Sequence, residues 1–142
     1  RTLESARQDV LDMRLRMLEG HANRTVYFDI KHDRGGMVDV EFIVQLLVLT
    51  SSSTHPELVN NFGNILLLET AARLGLVDEQ LVKPGVKAYR RYRALQHEIR
   101  LNCGEGVPVR VPMKMVEDEK AAVLALWKAV FGTEGPTREA VA

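Results

Sequence analysis

The stretch GGMVDVEFIVQLLVLTSSS constrains the fold more than any other part of the chain. Gly35 and Gly36 open it and Ser51 to Ser53 close it. Between Met37 and Leu49 only Asp39, Glu41 and Gln45 are polar. A continuous apolar run suits a buried strand or a buried helix, but roughly 13 residues exceeds the usual strand length of about 4–8 and favours a helix. A helix that is apolar all round offers no face to water, so it belongs at the centre of the structure. The rest of the chain must then wrap it.

The flanking segments have the patterns for that. Leu3, Ala6, Val10, Met13 and Met17 recur at steps of three and four, which predicts one amphipathic helix over about Leu3 to Glu19. Arg7, Asp9, Asp12, Arg14 and Arg16 fill the remaining positions; Thr2 is placed to cap the helix and Gly20 to stop it. Thr25 to Ile30 is β-branched and aromatic, and reads as a lone extended segment with no evident second strand. Pro56 suits the first position of a helix carrying Ile65, Leu66, Leu68 and Leu74; Gly63 divides that region and Gly75 stops it. Asp78 caps a further helix, which Pro84-Gly85 should break or kink. Val86 to Asn102 is helical in type, a Gly- and Pro-containing loop follows, and a last helix runs from about Lys114 to Phe131. The tail, 133–142, is expected to fray. The fold class that results is all-α: an irregular antiparallel helical bundle of five to seven helices with one short extended segment, forming a single domain over 1–142.

Composition narrows the function. The chain has 142 residues, 46% of them apolar, and 19 basic residues balance 19 acidic ones. That is enough to bury a core, and a net charge of zero gives no global case for nucleic acid or a membrane surface as partner. The single cysteine, Cys103, rules out an internal disulfide and fits a cytoplasmic location. The first residue is Arg1, with neither an initiator Met nor a signal-peptide pattern, so the chain reads as a fragment of a larger multidomain protein.

Two groups of residues stand out. In DIKHDRGGMVDVEFIVQ, two glycines before a helix let backbone amides approach a ligand, and the helix dipole favours an anion there. Lys31 and Arg34 would add charge, and Asp39 in the first turn suits capping amides or sharing a metal with a phosphate. Glu41 and Gln45 lie four apart and share a helix face. A structural reading fits equally: a tight turn at Gly35-Gly36, a cap at Asp39, and buried partners for Glu41 and Gln45. The second group is Lys83 to Arg100, where six bases face the single acid Glu98, with Tyr89 and Tyr92 interleaved. Lys87, Arg90, Arg91 and Arg93 form a candidate docking face for phosphates or an acidic partner. The other reading pairs that face with Glu117, Asp118 and Glu119. No zinc motif is complete, because Leu101 stands where His97-Glu98 would need a second histidine. No metal site, phosphate-binding glycine loop or paired-aspartate signature is present, so no catalytic residue is assigned within the chain.

The string FDIKHDRGGMVDVEFIVQLLVL resembles the glutamine synthetase adenylyltransferase family, which carries FD-[IL]-K, then GG, then D-[IV]-EF and Q. Each of those positions is matched between Phe28 and Gln45. The resemblance extends upstream to MRLRM and downstream through NNFGNILLLETAARLGLVDEQ, Ala88-Tyr89 and Trp127. It implies the helical domain that follows a nucleotidyltransferase domain, in the C-terminal, adenylylating half of a two-half enzyme. The implied reaction moves AMP from ATP to a tyrosine of glutamine synthetase, with Mg²⁺ and ATP used by the parent and neither bound by this fragment, which alone is expected to be inactive. The family's metal-binding aspartates have no counterpart here. Lys31, Gly35, Gly36, Asp39, Glu41 and Gln45 are then expected to face the upstream domain. The implied partners are that domain, glutamine synthetase and a PII-type regulatory protein. The alternative is a non-catalytic module that docks one of the last two.

Overall fold

The computed structural model describes residues 2–59 and 63–136. Five α-helices occur among them: α1 (Leu3–Gly20), α2 (Met37–Ser51), α3 (Asn64–Arg73), α4 (Glu79–Cys103) and α5 (Glu117–Phe131). Short 3₁₀ turns at Pro56–Val59 and Met113–Val116 precede α3 and α5. The architecture is an all-α helical bundle, as the patterning predicts. None of the described helices is long and apolar enough to cross a membrane.

The expected central helix is central. Nine of the 15 residues of α2 are buried, around all of its circumference but one stripe. Helices α1, α3, α4 and α5 all pack on it. One continuous apolar cluster results, in which Ile43, Leu68, Tyr92, Leu126 and Trp127 are fully shielded. Each such large side chain contributes about 1.5–3 kcal/mol by leaving water.

Local signals set several boundaries. Thr2 and Ser5 form a reciprocal capping box at the start of α1. Asp78 Oδ1 accepts from Gln80 N at 2.9 Å at the start of α4. Gly132, at a φ of 75°, ends α5 in the left-handed conformation that glycine tolerates best. Pro56 begins a 3₁₀ turn rather than an α-helix.

Four expectations need correction. First, the extended segment has a partner: β1 (Phe28–Asp29) pairs antiparallel with β2 (Arg110–Val111), Phe28 opposite Val111. A strand two residues long, lying between Pro108 and Pro112, leaves no alternation to detect. Second, Pro84-Gly85 does not break the helix, and α4 runs unbroken through both. A proline inside a helix costs about 3 kcal/mol. Burial of Val82, Val86, Tyr89 and Tyr92 on the same helix outweighs that. Third, the buried face of α1 is rotated from the expected one: Ala6, Val10, Leu11 and Arg14 are buried, while Leu3 and Met13 are 65% and 44% exposed. Arg14 lies on that face with its polar partners inside. Fourth, the segment after α5 turns back onto the bundle through residue 136, with Gly135 and Pro136 buried. The rest of the expected frayed tail, 137–142, and Asn60 to Phe62 of the resemblance lie outside the described residues.

Candidate functional site

Asp39 lies in the first turn of α2 and is fully buried. Its Oδ1 accepts from Arg14 Nε at 2.6 Å, and its Oδ2 accepts from Gly35 N at 2.7 Å. Arg34 Nε stands 3.3 Å from Oδ2 as a third, ionic contact. Arg14 itself is shielded from water and donates from Nη2 to His32 O at 2.8 Å. Arg34 lies over the Trp127 ring, 4.8 Å from its centroid, and both its Nη atoms donate to Glu134 O. Burial pulls the Arg34 pKa down, and the Asp39 charge acts against that. Asp39 is thus the node at which α1, the loop before α2, α5 and the tail are joined.

The glycine pair serves this node rather than an open cradle. Gly35 has a φ of 90°, and Tyr92 OH donates to its carbonyl at 2.8 Å. A Cβ at Gly35 would lie 2.6 Å from Lys120 Cγ, and one at Gly36 only 2.6 Å from Ile30 O. The amides are spent internally: Gly36 N donates to Asp33 O at 2.9 Å, Met37 N to Ile30 O at 2.8 Å and Val38 N to Lys31 O at 3.0 Å. The expectation that these glycines bring amides up to a ligand is therefore corrected. Close backbone packing is what excludes a side chain there, and the Gly36, Met37 and Val38 amides are already occupied.

The other motif residues separate from the node. Glu41 is half-buried, and its Oε2 accepts from Tyr89 OH at 3.1 Å, while Asn64 Nδ2 donates to the same hydroxyl at 3.2 Å. Burial raises the Tyr89 pKa; the Asn64 hydrogen bond opposes this and the Glu41 charge adds to it. Gln45 is exposed, and so is Leu49 at 49%. Glu41, Gln45 and Leu49 follow the four-residue step, so they form the stripe of α2 that reaches solvent. Lys31 points elsewhere, into a recess with His21, His32 and Arg110.

The basic face of α4 divides in two. Arg91 Nε lies 3.6 Å from Glu119 Oε2, and Lys87 borders a hollow with Asp118 and Glu119. The acidic first turn of α5 thus compensates this half, as the second reading of that face expects. Arg90 and Arg93 are exposed and line a groove of about 590 Å³ with Gln96, His97 and Arg100. Among the described residues, no set of three or more His, Cys, Asp or Glu side chains is placed to hold a metal ion.

Sequence reasoning missed Arg14 and the Tyr89–Asn64 link to Glu41. Arg14 carried a detectable signal, since it falls four residues after Val10 on an otherwise apolar stripe. The Asn64–Tyr89 contact spans different helices and carried none.

A family model described as GlnD PII-uridylyltransferase matches residues 6–106. The match covers most of the chain, including the Asp39 node and the Glu41 stripe. The chain belongs to this family. Within it, the chain is 48% identical over 125 residues to the bifunctional glutamine synthetase adenylyltransferase/adenylyl-removing enzyme of Burkholderia mallei, covering 88% of this chain and 13% of that protein. The enzyme of the same name from Ralstonia nicotianae is 51% identical over 127 residues, covering 89% and 13%. That from Nitrosomonas eutropha is 41% identical over 145 residues, covering 94% and 16%. The chain therefore spans about a seventh of the length of these relatives, and is similar to one helical part of them.

Proposed function

We propose that this chain is the helical domain following the nucleotidyltransferase domain in the adenylylating half of a cytoplasmic glutamine synthetase adenylyltransferase. In that reaction a tyrosine oxygen attacks the α-phosphorus of ATP, pyrophosphate leaves, and the tyrosine proton passes to a base or solvent. The start of α2 does not fit the reacting Mg²⁺-ATP, because Asp39 is committed to Arg14 and Gly35. Mg²⁺ and ATP are therefore assigned to the upstream domain, and this chain alone transfers nothing. Its part is to hold a rigid face against that domain. The observation that carries this reading is the solvent-facing stripe of Glu41, Gln45 and Leu49 on a helix that the Asp39 node locks in place. A half-exposed Leu49 beside an exposed Gln45 is the mixed surface that inter-domain contacts use.

The test is transfer of labelled AMP to glutamine synthetase by the parent enzyme carrying Gln45→Arg and Leu49→Asp. We expect a loss of about a hundredfold, near 2.7 kcal/mol of barrier, with the melting temperature unchanged. Normal transfer would remove the stripe from the domain contact.

A second reading rests on Arg90 and Arg93, which stay exposed in their groove while Arg91 is paired. That half of α4 would dock an acidic surface of glutamine synthetase or of a PII-type protein. Charge reversal at both arginines should then raise KM for glutamine synthetase, or abolish the PII response, with kcat intact.

A further inference from the structure

Four parts of the chain bring cationic or imidazole side chains to one recess of about 330 Å³. His21 comes from the end of α1, Lys31 and His32 from the loop before α2, Arg100 from late α4 and Arg110 from β2. The volume lies at the lower end of the range for small-ligand pockets, about 300–1,000 Å³. Asp29 is the single acid on its lining, and its Oδ1 is already occupied by Lys31 N at 2.9 Å and His32 N at 3.0 Å. The strand register sets Arg110 opposite Asp29, yet no ion pair joins them. Neither Lys31 nor Arg110 makes a side-chain ion pair among the described residues. Arg100 has only a 3.7 Å contact with the exposed Glu105, and its Nε lacks a hydrogen bond.

The imidazoles of His21 and His32 stack in parallel, with centroids 3.8 Å apart and planes 3° from coplanar. His32 Nδ1 is shielded from water without a hydrogen-bond partner. The recess is therefore a preformed set of donors short of acceptors. Its far wall is also fixed, because Ile30 N donates to Val109 O at 2.9 Å and ties the loop before α2 to the segment leading into β2. Clustered cations without a counter-ion raise the local potential and attract an anion. A carboxylate offers two oxygens, whereas a phosphoryl group offers three and suits an ammonium, guanidinium forks and imidazoles approaching from several sides.

We propose that this recess binds a phosphoryl group, held by Lys31, Arg100 and Arg110, with the stacked His21 and His32 completing the donor set. The site is separate from the start of α2, whose amides are occupied, and it assumes neither adenylyl transfer nor partner docking. The anion is either free phosphate or the phosphate chain of a nucleotide, and titration separates these sources.

The 142-residue chain is titrated separately with inorganic phosphate, pyrophosphate and ATP near pH 6.5 in a sulfate-free buffer, following the ring resonances of His21 and His32. We expect saturable shifts of both rings at millimolar ligand or below. Lys31→Gln and Arg110→Gln should each weaken binding about tenfold, the scale of one charged hydrogen bond. Lys83→Gln, on an exposed side chain paired with Glu79, should leave it unchanged. Inorganic phosphate binding as tightly as ATP assigns the site to the free anion; ATP or pyrophosphate binding tenfold tighter assigns it to a nucleotide chain. Absence of saturation by all three, with a native melting curve, overturns the proposal. Undiminished affinity in Lys31→Gln, which removes no internal contact, overturns it as well.

Discussion

Arg14 Nε and Asp39 Oδ1 meet at 2.6 Å with both side chains sealed from water, so one ion pair fastens α1 to the first turn of α2. Removing one partner of such a pair strands the other charge and costs about 3–5 kcal/mol. Asp39→Ala strands Arg14 and also takes the carboxylate from beside Arg34. Urea unfolding should show a loss in that range, and the paired change Arg14→Met with Asp39→Leu should recover part of it. A loss below about 1 kcal/mol for Asp39→Ala, the scale of a surface pair, would show that the node does not hold the fold.

The two glycines should respond differently to alanine. At Gly35 a Cβ would meet Lys120 Cγ at 2.6 Å and the Lys120 carbonyl oxygen at 3.2 Å, and the positive φ adds about 1–2 kcal/mol of strain. At Gly36 the obstacle is the Ile30 carbonyl, which cannot swing away. Gly36→Ala should therefore be the more damaging of the two. Gly20→Ala, at the end of α1 with open space around it, should stabilise by about 0.4–1 kcal/mol. Thermal melts of the three variants give the order directly.

At Gly85 two effects compete. Alanine gains about 1 kcal/mol of helix propensity, but its Cβ would lie 2.8 Å from Leu126 Cδ2. Overpacking costs about 1–3 kcal/mol, so Gly85→Ala should destabilise. The double change with Leu126→Ala should be less harmful than the two single losses combined. Simple additivity in a double-mutant cycle would mean that α4 and α5 are not in close contact there.

Stability should fall as the pH drops below neutrality through His32. Burial, His21, Lys31 and Arg14 all push its pKa below the ordinary 6.5, and Asp29 opposes them. Arg100 and Arg110 face the same recess. The unfolded chain then binds more protons than the folded one, so stability is fully present above about 6.5 and is lost as pH falls toward the native value. Between pH 7.5 and 5.5 the urea midpoint of wild type should fall more steeply with acidification than that of His32→Gln. Parallel curves would exclude His32 as the source of the slope.

Much of this fold was legible because its signals are local. The apolar run after Gly36 announces a buried central helix, and Thr2 and Asp78 mark helix starts by their own hydroxyl and carboxylate. The illegible parts depend on distant partners. β2 exists only because Phe28 and Asp29 lie beside it, and α4 passes Pro84 only because its apolar face is buried on both sides of that residue. The candidate site shows the same division. Asp39 was legible as a capping residue, but nothing near it in sequence indicates Arg14, which is 25 positions away. Glu41 and Gln45 were legible as one face, whereas the Tyr89 hydroxyl that half-covers Glu41 comes from another helix.

The loop from Phe28 to Gly36 draws its partners from both ends of the chain: Arg14 before it, and Val111, Tyr92 and Glu134 after it. Arg34 and Glu134 are 100 positions apart. During synthesis this loop leaves the ribosome before α5, so its last hydrogen bonds must wait until α5 and the turn beyond it have emerged. A nascent chain stopped after α4 would carry every residue of the motif without the structure that gives the motif its shape. The segment that most clearly marks the family is therefore among the last to be finished.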